Sequence, residues 1–151
     1  MTKDNSNQTP PEQTTKSPAR HLPAIARILM GLVFFVFGLN GFLHFLPQPK
    51  DMPAGALAFF GALMKTGYMV PLIFGTQTLG GALLLLNRFV PLALALLAPV
   101  IVNIMSFHLF LAPSGLPLAC VVLALELYLA WSYRKVYLPM LAMRANVGAV
   151  K

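Results

Sequence analysis

Glu126 stands in the run Leu-Ala-Leu-Glu-Leu-Tyr-Leu-Ala and is the only acidic residue beyond Asp51. A carboxyl in the middle of an apolar helix costs roughly 2.5–3.5 kcal/mol to insert into a bilayer, so it faces other helices and has a partner or a task there. The chemistry open to it is proton binding, ligand binding or an internal ion pair. Arg27, at the start of another apolar segment, has a side chain long enough to reach in from the membrane interface and is the candidate partner. Asn40, Gln77 and Asn103 each put a strong polar group into a further apolar segment. At a rise of about 1.5 Å per residue, these three and Glu126 come out roughly 12–22 Å above the nearest inner charge. Amides at such depth commonly bond one another across helices, at about 0.6–2 kcal/mol each. They are also the groups that would orient a ligand. Pro99, Asn103 and Ser106 follow helical spacing, which predicts one inward-facing polar side around a proline bend. His44 and His108 lie nearer the outer boundary at matching depth. Neither has a His-x-x-x-His spacing or an acidic neighbour, so bonds to loop carbonyls are expected of them and no metal site is.

The elements that must position these residues are membrane helices. The chain has 151 residues, 58% hydrophobic and 10% charged, with a mean hydropathy of +0.74; soluble domains carry about 25% charged residues. The net charge of +7 is spread over the ends of apolar segments and forms no basic stripe, which argues against nucleic acid. The single cysteine, Cys120, excludes an internal disulfide and Cys-x-x-Cys redox chemistry.

Four segments approach the roughly 20 residues needed to cross a bilayer, at about 24–46, 68–86, 89–111 and 116–134. Pro71, Pro91 and Pro117 fall in the first turns of the last three, where a missing N–H costs nothing. Ala54–Lys65 is apolar but too short to span, and reads as an interfacial or re-entrant helix. The expected fold is therefore all-α: an integral membrane four-helix bundle over 23–138 with a short interfacial helix between helices 1 and 2. Residues 1–22 are polar and without periodicity, which predicts a disordered cytoplasmic tail, and 139–151 a second cytoplasmic tail. With both termini inside, nine Lys and Arg face the cytoplasm and two, Lys50 and Lys65, face out.

Several of these residues together resemble the DoxX family of small bacterial membrane proteins over about residues 27–134. The resemblance is carried by Arg27 with Gly31 and Gly38, by Gly75-Thr76-Gln77 before Gly80-Gly81, and by Ala98-Pro99 with Asn103 and Phe107-His108. Many relatives carry Glu where Gln77 stands and Lys near Gly41; this chain has neither charge. The resemblance implies a multi-pass protein of the bacterial inner membrane, serving as a non-catalytic subunit or accessory factor of a quinone-linked redox system. The alternative is a small permease binding a solute or proton between its helices. Glu126, Gln77, Asn103, Asn40 and Arg27 are then the candidate ligand or proton sites, with His44 and His108 on the outer side. No cofactor is evident beyond a quinone as ligand. The partners expected are the lipid bilayer, a membrane redox subunit and a second copy of the chain.

Overall fold

The computed structural model describes residues 21–47 and 51–137. The predicted tails at 1–22 and 139–151 lie outside that range, except that Leu22 already belongs to the first helix. In chain order the elements are α1 (Leu22–Leu43), α2 (Ala54–Lys65), α3 (Met69–Leu85), α4 (Val90–Phe110), a 3₁₀ turn (Pro113–Gly115), α5 (Leu116–Ser132) and α6 (Arg134–Tyr137). No strand occurs among the described residues. α1, α4 and the 3₁₀ turn with α5 are each long and apolar enough to cross a membrane. α2 and α3 meet that test only together and are bent by 95° between them, so the described residues hold three such helices, or four if the bent pair counts as one span.

Local chemistry sets the helix ends. Prolines 23, 91 and 117 occupy the first helical positions of α1, α4 and α5. α1 stops where His44 turns left-handed at φ 51° and returns its N–H to the Asn40 carbonyl at 2.8 Å. The Asn40 side chain then accepts the Leu46 N–H at 2.7 Å, closing the end of the helix. α3 ends at Asn87, also left-handed at φ 54°. There Arg88 N–H reaches back to the Leu83 carbonyl at 3.0 Å. Asn tolerates this backbone because its short polar side chain offsets part of the steric cost.

α1 and α3 approach most closely. A Cβ on Gly38 would stand 2.6 Å from the Thr78 amide nitrogen, and one on Gly81 2.8 Å from the Phe35 Cα, so only glycine lets these backbones meet. Gly80 makes the same room for Leu97 of α4. Around this seam Met30, Leu84, Leu94, Leu97 and Leu129 are fully buried, joining α1, α3, α4 and α5. Leu29, Leu79, Val102, Val121 and Leu127 are exposed, as lipid-facing side chains would be.

Candidate functional site

A cavity of about 490 Å³ lies where α1, α2, α3, α4 and α5 converge. Its walls are mostly apolar, with Phe34, Phe37, Phe60, Met64, Phe74 and Val122 among them. Four polar side chains line it: Asn40, His44, Gln77 and His108. None of its lining residues among those described is Asp, Glu, Lys or Arg.

Each polar group is held differently. His108 sits near the end of α4 with Nδ1 2.9 Å from the Ala112 carbonyl oxygen. A carbonyl can only accept, so Nδ1 carries the hydrogen and Nε2 is the ring nitrogen left over. The ring meets Phe107 edge-on at 5.2 Å and 81°. It occupies the space where a side chain at Gly115 would go: a Cβ there would lie 2.8 Å from Nε2 and closer still to the rest of the ring edge. On the opposite wall, a Cβ on Gly41 would run into the Phe74 ring. Gln77, only 6% exposed, has no hydrogen-bond partner among the described residues, although an amide offers two donors and an acceptor. Asn40 keeps its NH₂ group after its oxygen is taken by Leu46 N–H. His44 is exposed at the rim.

Glu126 lies deeper on the same face of α5, one turn beyond Val122. It is 7% exposed, its Oε2 has no partner among the described residues, and it is not among the residues lining the cavity. Tyr137, just past the end of α5, donates its hydroxyl to the Pro91 carbonyl at 2.7 Å. Burial, with the Glu126 charge adding to it, pushes that phenol up to about 12. Tyr137 therefore stays a donor at neutral pH.

Two expectations need correction. Arg27 does not pair with Glu126: its guanidinium is given to the carbonyls of Leu84 and, at 3.4 Å, Leu85. These are last-turn carbonyls of α3, beyond the regular helical ladder; Leu84 also accepts the Asn87 N–H at 3.2 Å, and the glycine seam brings this end of α3 beside α1. A cation at a helix C-terminus also meets the favourable end of its dipole. The Pro99–Asn103–Ser106 side of α4 is likewise not inward. All three are exposed, and they line a separate outer cleft with Phe59 and Phe110. The buried face of α4 is Val90, Ala93, Leu94, Leu97 and Ile101, which runs up the opposite side. Ser106 satisfies its hydroxyl on its own helix, at the Val102 carbonyl 2.9 Å away.

Of the candidates, the fold thus brings together Asn40, His44, Gln77 and His108, sets Glu126 one turn below them, and separates Arg27 and Asn103. Sequence reasoning missed the aromatic and methionine walls, Phe60, Met64 and Phe74. Gly41, which makes room for Phe74, was the available signal. Fold and composition define a multi-pass helical membrane protein. Comparison with protein-family models, with curated proteins and with solved structures finds no match to this chain.

Proposed function

We propose that this chain is a DoxX-like four-helix protein of the bacterial inner membrane that binds a lipid-soluble amphiphile, such as a quinone, between its helices. In this reading α3 is the second span, α2 lies along the outer interface, and both termini face the cytoplasm. The protein would serve as a non-catalytic partner of a quinone-linked redox system. The observation that carries the ligand assignment is the cavity: large, mostly apolar, with no charged residue in its wall among the described residues, and furnished with four polar side chains. A site of that make-up suits an amphiphile with a small polar head, whereas a hydrophilic ion would find little there to replace its hydration.

A photoreactive quinone probe tests this on the protein in lipid nanodiscs. Labelling should concentrate on the cavity wall, around Met64 and Phe74, and should be largely lost in Ala119→Phe, which fills the cavity from α5. Labelling spread evenly over the lipid-facing surface and unchanged by that substitution would overturn the assignment. Uptake of a hydrophilic solute by the purified protein in liposomes would favour a permease instead.

A further inference from the structure

We infer that the head group selected by this cavity is neutral and donates a hydroxyl proton, with His108 Nε2 as its acceptor. The inference rests on the reading that the cavity holds a lipid-soluble ligand, and it names the chemical class of that ligand. The cavity's hydrogen-bonding inventory carries it. His108 has spent Nδ1 on the Ala112 carbonyl, so the neutral ring has a lone pair at Nε2 and no second hydrogen to give. Among the described residues nothing bonds Nε2. Asn40, with its oxygen taken by Leu46 N–H, offers an NH₂ group, and Gln77 lines the cavity with an amide that can donate and accept.

The ligand that satisfies this set has one O–H to give His108 and an oxygen that accepts from Asn40 or Gln77. A hydroquinone, a phenol or a fatty alcohol meets the description. A fully oxidised quinone or a simple ester has acceptors only and would leave Nε2 unpaired, which costs free energy in a dry site. Among the described residues, carboxylates and phosphates find no Lys or Arg in the wall, and quaternary ammonium groups find no carboxylate. The ring is also held in place for this role: Gly115 vacates the space it fills and Phe107 meets it edge-on.

The test is competition against the photoreactive quinone probe under anaerobic conditions, using decyl-hydroquinone, decyl-quinone, the hydroquinone dimethyl ether and decanol. Decyl-hydroquinone should compete roughly tenfold better than the quinone and the dimethyl ether, equivalent to about 1.4 kcal/mol. His108→Asn keeps an amide donor for Ala112 and removes Nε2; it should bring the three ring compounds within about twofold of one another, the difference left when one hydrogen bond is lost from the balance. Decanol matching decyl-hydroquinone would support hydroxyl selection with an aliphatic rather than a ring source. Equal competition by all three ring compounds in the wild-type chain would overturn hydroxyl selection while leaving a lipid-soluble ligand in place. A preference that survives in His108→Asn would overturn the role of His108. No saturable competition by any compound would overturn both the inference and the reading beneath it. Should His108→Asn fail to fold, the wild-type comparison decides hydroxyl selection and His108→Gln, read by the same competition, decides the role of His108.

Discussion

At the scale of single residues, the two buried ionisable groups in the helices have opposite accounts. Arg27 is satisfied by backbone: it closes the end of α3 from a neighbouring helix. Arg27→Met would take the charged donor away from both carbonyls, leaving Leu84 only its backbone donors such as the Asn87 N–H at 3.2 Å, and should lower stability by about 1.5–3 kcal/mol, the usual worth of a charged hydrogen bond. Adding Glu126→Gln should not restore the loss, and the two effects should add within about 0.5 kcal/mol, as independent sites do. Unfolding in mixed micelles of increasing denaturing detergent measures both; recovery in the double variant would show that the ion pair exists after all. Glu126, by contrast, is buried with an unpartnered oxygen. A side chain kept at a cost to the fold is a candidate for function. Glu126→Leu is therefore expected to raise stability by about 1–3 kcal/mol, the cost of leaving a buried polar group unpaired. A loss of stability on the same titration would mean that Glu126 has a structural partner.

The helices show what an apolar sequence reveals and what it hides. Their starts were legible because proline has so few places to go: Pro91 and Pro117 open α4 and α5, and Pro71 sits in the first turn of α3. The facing of the helices was not legible. In α4 nearly every position is apolar, so hydrophobic periodicity does not separate the core side from the lipid side. Asn103 and Ser106 then invite an inward reading that packing of Leu94, Leu97 and Ile101 overrules. Nor was the cavity legible, since it depends on where Gly41 and Gly115 let Phe74 and His108 lie across helices. Glycines offer a matched test of the seam. Gly38→Val forces a side chain onto the Thr78 backbone and should cost at least about 1–3 kcal/mol, as overpacking does. Gly75 has nothing within 4 Å of its missing Cβ, so Gly75→Ala should be neutral or raise stability by up to about 1 kcal/mol through helix propensity. Equal losses at both positions would argue that helix propensity, and not close approach, governs this seam.

For the molecule as a whole, the proposed orientation is tested by placing single cysteines in a Cys120→Ser background. Asp51→Cys, before α2, should react with an impermeant thiol reagent in intact cells, and Asn87→Cys, between α3 and α4, should not; the reverse pattern would invert the topology. The bend between α2 and α3 carries a further consequence, in membrane thickness. α1 and α4 have 22 and 21 residues, but α3 has 17 before Asn87 turns the chain. At about 1.5 Å per residue, α3 covers roughly 25 Å of a hydrocarbon layer near 30 Å. If α3 is a span, the bilayer must thin on that side of the protein and not on the other, at a cost of a fraction of a kcal/mol per Å. The protein should then be most heat-stable in vesicles of shorter-chain lipids, and should destabilise steadily as acyl chains lengthen. Lipids gathered at the thin side would be the loosest in their shell, directly beside the elbow where α2 turns away.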